Sequence, residues 1–348
     1  MKKSLSKYCI FSIALFSIIL LGGCAKTPKE QAISKSAIYF DTPITITIYY
    51  ENNLIPSDDI FQDVFAKCAY YQSICDRHNK ESELSKLNNR SLKYVTIDNI
   101  KMYKVSTHLY NMIKSGQDAN ANYSSQFDIT IAPLIDLWDF SHQYSSSSPS
   151  IPTPKAIQDT LKCVNSDSII LKEVNGKYLV GFIGNDNSIQ IDLGGLAKGY
   201  IADRIKELLI DNKIESALID LGGNIYALGS HTDGKDFHIG IKKPFSEEGA
   251  LIHNVSVSDK SVVTSGVYER FFEYDNHQYH HILSSTTGYP AQTDLLSVTI
   301  IADSSLDCDI LSTTCLLIGK DLATKLVEGL DDVSVIFVTT DYDVITVN

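Results

Sequence analysis

Three groups of residues in this sequence carry side chains whose type and spacing could do chemistry. In Asp307 to Gly319, DCDILSTTCLLIG, the apolar positions 310, 311, 315 and 318 predict a helix, on which Asp309 and Thr313 lie four apart and share a face. A carboxylate beside a hydroxyl suits a hard cation, and Mg²⁺ uses few protein ligands and fills its shell with phosphate and water. The same pair serves equally as a solvated or capping pair, because these side chains bond locally. In Asp192 to Asp203, DLGGLAKGYIAD, a glycine pair stands between an alternating stretch and a helical one, with Lys198 in the first turn. Uncapped N–H groups, partial positive charge and a lysine there would suit a pyrophosphate; a tight turn with a solvated lysine explains the stretch as well. His280 and His281 adjoin in a predicted strand, so only one faces a given site; each also fits a hydrogen-bonded structural histidine.

Two phosphate motifs are excluded by the glycine stretch itself. Gly194 and Gly199 have P-loop spacing, but Tyr200 stands where that motif needs lysine, and no G-x-G-x-x-G is present. Before the glycines, Ile189, Ile191 and Leu193 alternate with Gln190 and Asp192, predicting a strand whose polar face carries Asp192. Gly194 and Gly195 can take backbone angles closed to other residues and let a ligand approach the main chain. The helix is expected to begin at or just after them.

The elements that must position these groups read as follows. Ile44, Ile46 and Ile48 predict a first strand, and helices are expected from about Asp58 to Ile74 and from Ile100 to Gly116. Phe127 to Trp138 is too apolar for a surface loop, while Ser145 to Pro154 is a loop by composition. Ala217 to Leu221 predicts a strand ending in a second IDLGG, 28 residues after the first. Further strands are expected at 237–241, 254–257, 271–274 and 279–283, the last two joined at Asn276 and His277. Consecutive antiparallel strands with segregated helices imply an α+β layout.

Residues 1–24 begin with Lys2, Lys3 and Lys7, continue through an apolar run from Tyr8 to Leu21 and end in Gly22-Gly23-Cys24. The run is shorter than a membrane span of about 20 residues, and the pattern is that of a secretory signal over 1–23. A cysteine there resembles a bacterial lipobox, implying that Cys24 is lipidated, that 24–36 is a tether, and that 37–348 forms the folded, extracytoplasmic domain. Removing those three lysines and no acid moves the net charge from −12 to −15, which argues against nucleic acid and leaves the lipid as the membrane anchor. Beyond Cys24 five cysteines remain. Cys68/Cys75 and Cys308/Cys315 lie seven apart on predicted helices, a separation of about 10 Å that is too long for a disulfide. They are read as small core residues, and no zinc-type spacing is present.

Taken together, the motifs resemble one family. SELSKLN (Ser82 to Asn88), FDITIAPLIDLW (Phe127 to Trp138), DLGGLAKGYIAD, IDLGGN (Ile219 to Asn224), VTSGVYERFFE (Val263 to Glu273), HHILSSTTGYPA (His280 to Ala291) and DILST (Asp309 to Thr313) occur in the order seen in ApbE-type FAD:protein FMN transferases and span most of the mature chain. The resemblance implies mainly antiparallel sheets with flanking helices in a tandem T-fold-like architecture. It implies Mg²⁺-dependent transfer of FMN from FAD to a Thr or Ser hydroxyl of an acceptor subunit of an extracytoplasmic electron-transfer complex, releasing AMP. Position by position, FAD contacts fall on Phe40, His78, Gln126, Phe127, Asp128, Asp192, Lys198 and Leu283. Magnesium falls on Asp309, Thr313 and the main-chain carbonyl of Gly195, and His281 matches the histidine that helps deprotonate the acceptor. The sequence departs at Ser284, Ser285 and Thr286, where many members carry Asp-Pro-Arg and so a carboxylate and an arginine to orient the histidine or contact the phosphates. His78 stands where tyrosine is frequent. Hydrolysis of FAD to FMN and AMP, and flavin binding without catalysis, are the competing expectations.

Overall fold

A computed structural model describes residues 30–51, 55–145, 148–184, 188–247 and 249–348; the predicted signal, Cys24 and the first part of the tether lie outside them. At its centre is an antiparallel sheet of eight strands whose spatial order follows the chain: Glu30–Tyr39, Thr42–Glu51, Ala217–Leu221, Asn224–Leu228, Lys260–Gly266, Leu295–Ala302, Ser334–Thr339 and Val344–Val347. Ile44, Ile46 and Ile48 are almost fully buried on one face, as their alternation predicts. Helices Asp58–Cys75 and Ala197–Asp211 cover that face, with Ser305–Ile318 and Lys320–Val327 beside them over the later strands. The opposite face takes the hairpin Phe237–Lys242 and Leu251–Val257 over Ala227 and Val262. A four-stranded sheet, Tyr94–Ile97, Ile100–Val105, Ile169–Val174 and Lys177–Phe182, packs with helix Thr107–Asn122 into the main core. The layout is α+β, as expected.

Several boundaries differ from the sequence reading for local reasons. Residues 30–36, read as tether, belong to the first strand. Ser34 and Ser36 pair with Thr47 and Thr45 through hydroxyls at 2.7 and 2.8 Å, so the polar composition is that of an edge strand's outer face. That strand's first residue is clamped, Glu30 accepting from His231 Nδ1 at 2.9 Å and from the main-chain N–H of Thr232 at 2.7 Å. The helix expected from Ile100 is a strand as far as Val105. Ser106 then caps helix Thr107–Asn122, its Oγ accepting from the N–H of Leu109, while Glu83 accepts from Ser106 N and Oγ. The second hairpin strand runs His277–His280, leaving His281 just outside it.

The cysteine reading holds among the described residues: Cys68, Cys75, Cys163, Cys308 and Cys315 are free, and all but Cys163 are buried. Burial pushes the thiols of Cys68, Cys75 and Cys315 up to about 12, so they stay protonated and inert.

A smaller core gathers Trp138, Phe140, Phe272, Tyr279 and Tyr289 as stacked and edge-on rings. Trp138 Nε1 donates to the carbonyl of Gly288 at 2.8 Å, tying helix Ala132–Trp138 to the Thr287-Gly288-Tyr289-Pro290 turn. Gly288 has φ 72°, and a Cβ there would stand 2.5 Å from Ile157. Gly288→Ala should therefore lower stability by about 1–3 kcal/mol through overpacking and strain, read as a lower urea midpoint at unchanged slope.

Candidate functional site

The glycine turn is held from below by side chains that sequence reading did not connect to it. The stretch before Asp192 is extended but is not a sheet strand; its one bridge joins Gln190 to Ile131. Instead, Asn88 clamps Ile191 from both sides, Oδ1 accepting from its N–H at 2.8 Å and Nδ2 donating to its carbonyl at 2.9 Å. Arg90 donates to the carbonyl of Ile189 at 2.7 Å. The alternation is real, with Ile189, Ile191 and Leu193 buried, but the backbone is satisfied by Asn88, by Arg90 and by the carbonyl of Ile129, which accepts from the Asp192 N–H at 2.7 Å.

Asp192 is committed within the protein. Oδ1 accepts from the N–H of Gly194 at 2.8 Å, and Oδ2 from Nε of Arg77 at 2.7 Å. Arg77 also reaches Asp136 at 2.8 Å. Although burial opposes its charge, Asp192 and Asp136 hold the guanidinium above its ordinary range. Arg77 was missed because a single arginine before His78 matches no motif; a buried cation is visible only in three dimensions.

Neither Gly194 nor Gly195 uses the positive φ open to glycine. What Gly195 allows is close approach: a Cβ there would lie 3.2 Å from the Phe127 ring and 3.8 Å from Thr313 Cγ2. Helix Ala197–Asp211 starts as predicted, and Leu196 at its N-cap supplies no side-chain hydrogen bond. The Gly199 N–H in its first turn donates instead to Asp309 Oδ2 at 2.9 Å. Asp309 and Thr313 lie on one helix, Ser305–Ile318, and Thr313 Oγ1 is 3.1 Å from Ser265 Oγ. The structure thus unites Gly195, Lys198, Asp309, Thr313 and Phe127, residues far apart in sequence.

Charges at this junction are unbalanced. Asp309 is 5 % exposed; burial raises its pKa, and Lys198 and the Gly199 N–H oppose that only in part. Its other oxygen accepts no hydrogen bond, and Lys198, half-buried, makes no hydrogen bond or ion pair, among the described residues. His281 Nδ1 lies 3.2 Å from the carbonyl of Arg270 and must donate to it, leaving Nε2 with the free lone pair. Desolvation, together with the nearby charges of Arg270 and Lys198, lowers its pKa to about 3. The ring keeps some exposed surface, and desolvation is the largest cause of the lowering, ahead of the cations. His280 faces inward, Nε2 donating to the carbonyl of Ala291 at 2.9 Å, and burial lowers it to about 4.

Phe127 is buried against the glycine turn, and Gln126 is linked to Ser284, beside Leu283, by a long 3.5 Å contact. Ser285, at the departure from the family pattern, donates to the carbonyl of Ser125 at 2.9 Å. Asp128 takes Thr130 N and Oγ1 on one oxygen and Ser166 N on the other, so its carboxylate is engaged in holding the loop. His78 is exposed, one residue from Arg77, and Phe40 occupies the turn after the first strand at φ 53°, half-buried against the main core. The second IDLGG builds something else: Asp220 accepts from the N–H of Gly223, and the glycines, at φ 66° and 90°, close a hairpin.

The donors fit a hard cation. Among the described residues no cluster of three or more His, Cys, Asp or Glu exists, so a cation here would rest on one carboxylate, one hydroxyl, main chain and ligand oxygens, a set that suits Mg²⁺ rather than zinc.

The sequence model of the ApbE family matches residues 40–337. An FAD:protein FMN transferase of Klebsiella pneumoniae is 33 % identical over 316 residues, 91 % of this chain and 92 % of that protein. One from Treponema pallidum is 28 % identical over 97 % of this chain and 93 % of its own. Among solved structures, the ApbE protein of Thermotoga maritima superposes with a TM-score of 0.77 at 26 % identity, covering 90 % of this chain and 96 % of that one. The flavin transferase ApbE of Vibrio cholerae gives 0.76 at 22 % identity, covering 92 % and 97 %.

Two outcomes follow from the geometry. Arg77→Met leaves Asp192 without its charged partner and should cost about 1.5–3 kcal/mol, read by thermal or urea unfolding. Because His280 and His281 have depressed folded-state values, the unfolded chain binds more protons below its ordinary histidine value of about 6.5. Stability should fall as pH drops from about 6.5 toward 4, and His281→Gln should flatten part of that slope in urea midpoints taken across this range.

Proposed function

The chain belongs to the ApbE family, and from that premise we propose that it transfers FMN from FAD to a threonine or serine hydroxyl of an acceptor protein, releasing AMP with Mg²⁺ bound. The observation that carries this reading is the junction of Asp309 and Thr313 with Gly195, Gly199 and the unpaired Lys198. It concentrates a cation's ligands and a free ammonium at a helix N-terminus, where a pyrophosphate is stabilised. Phe127 beside Gly195 offers an aromatic wall for the flavin half.

The step is an in-line displacement. The acceptor oxygen attacks the phosphorus on the FMN side, the bond from that phosphorus to the bridging oxygen breaks, and AMP leaves with the electron pair. His281 Nε2 accepts the hydroxyl proton, its tautomer fixed by the Arg270 carbonyl. A neutral imidazole of such low basicity is a weak base on its own; the negative charge of a pyrophosphate beside it would offset the nearby cations and raise its basicity. Lys198 and the first turn of helix Ala197–Asp211 receive the charge that develops on the phosphates. Mg²⁺, held by Asp309, Thr313 and the Gly195 carbonyl, would neutralise the leaving group.

The protein works outside the cytoplasm, held to the membrane through lipidated Cys24, a reading supported by the basic, apolar and small-residue order of residues 2–24. The described residues contain no helix long and apolar enough to cross a membrane.

Incubating the purified protein with FAD, Mg²⁺ and a hydroxyl-bearing acceptor peptide should add the mass of FMN to the peptide and release one AMP for each. AMP release without peptide modification would instead establish a hydrolase. Asp309→Asn should abolish transfer while raising the metal-free thermal midpoint, since it removes a buried charge. His281→Ala should slow transfer by about 10²- to 10⁴-fold.

A further inference from the structure

The last residue of the glycine-turn motif, Asp203, has no part in the roles above, yet it is 7 % exposed and saturated with hydrogen bonds. Oδ1 accepts from the N–H of Ser305 at 3.0 Å, and Oδ2 from the N–H of Leu306 at 3.1 Å and from Ser304 Oγ at 3.4 Å. Lys206 is its one ion-pair partner among the described residues, at 3.3 Å. Asp203 is thus an acidic cap for the helix Ser305–Ile318, supplied by the neighbouring helix Ala197–Asp211.

The contacts between these two helices form a ladder. Asp203 meets Ser305. One turn earlier on its helix, Gly199 meets Asp309, and its Cα lies so close that a Cβ would stand 2.3 Å from the Ser305 carbonyl oxygen and 2.8 Å from Asp309 Cβ. Four residues earlier, in the glycine turn just before the helix, Gly195 meets Thr313. Each rung is four residues back along 195–203, the last in the glycine turn just ahead of the helix, and four forward on the other helix, the spacing of an antiparallel pair in register. Apolar packing tolerates axial sliding better than directional hydrogen bonds do. Ser261 Oγ to Ser305 Oγ at 3.0 Å and Ser305 Oγ to Asn224 Oδ1 at 2.7 Å tie the helix start to the sheet, and Lys206 Nζ, donating to the carbonyl of Asp303 at 3.3 Å, is a second and longer link from the helix of Asp203.

We infer that Asp203 is a positioning residue for cation binding: it sets the axial register that brings Asp309 and Thr313 to the glycine turn about two helical turns away. This rests on the reading of Asp309 and Thr313 as cation ligands. The test is Mn²⁺ binding to the full chain in the presence of FAD, followed by electron paramagnetic resonance, with FAD binding in metal-free buffer followed by flavin fluorescence. Asp203→Ala should weaken Mn²⁺ binding by about tenfold or more, the usual effect of losing a partner that orients a metal ligand, with metal-free FAD binding unchanged. Asp203→Asn, which keeps one acceptor oxygen, should lose less, and carries the test if the alanine variant does not fold. Ser106→Ala, which uncaps a different helix, should lower the thermal midpoint without weakening Mn²⁺ binding. Unaltered Mn²⁺ affinity in both Asp203 variants overturns the inference while leaving the cation site intact. Absence of Mn²⁺ binding in the unsubstituted protein overturns it together with the cation reading.

Discussion

One hydrogen bond, from the Gly199 N–H to the carboxylate of Asp309, is the constraint around which the rest of the molecule is arranged. A carboxylate loses most of its hydration when buried, and a single amide donor returns only part of that loss. The protein tolerates the deficit because the donor lies in the first turn of a helix and Lys198 stands beside it. Such a half-satisfied group is a cost to stability, and it fits the cation role proposed for it. The central sheet and its helices supply the rigidity that keeps the deficit from relaxing.

Much of this arrangement was legible in the sequence, and the failures have physical causes. The helix carrying Asp309 and Thr313, the helix starting after the glycine pair, the buried isoleucine alternation and the free buried cysteines all follow from periodicity and spacing. Periodicity could not separate the strand Ile100–Val105 from the helix after it, because six residues with apolar positions fit either repeat; Ser106 was the available punctuation. It could not show that Ile189 to Leu193 is extended without a sheet, since alternation reports burial on one side and says nothing about what satisfies the backbone. Arg77 and Asp203 were illegible for a different reason: their partners, Asp192 and Ser305, lie more than a hundred residues away.

The paired IDLGG segments show how little a short motif fixes. In both, the aspartate accepts from a following glycine N–H. At Asp220 the glycines adopt left-handed angles and turn the chain back into the sheet, a conformation closed to most residues. At Asp192 they do not, and the chain continues into a helix whose first turn faces the candidate site. The difference is set outside the motif: Arg77 engages the second oxygen of Asp192, and Phe127 and Thr313 crowd Gly195.

The clamp on Glu30 has a mechanical consequence. In the first hairpin Glu30 pairs with Glu51, at the end remote from the turn at Phe40 and Asp41, so tension entering through the preceding residues would peel the edge strand one rung at a time. Peeling distributes no load; each rung bears the whole force in its turn. By gripping the outermost described rung from a separate loop, through His231 and Thr232, the protein adds an attachment where a pull would first be felt. A pull arriving at that end would be met there before it reached the glycine turn.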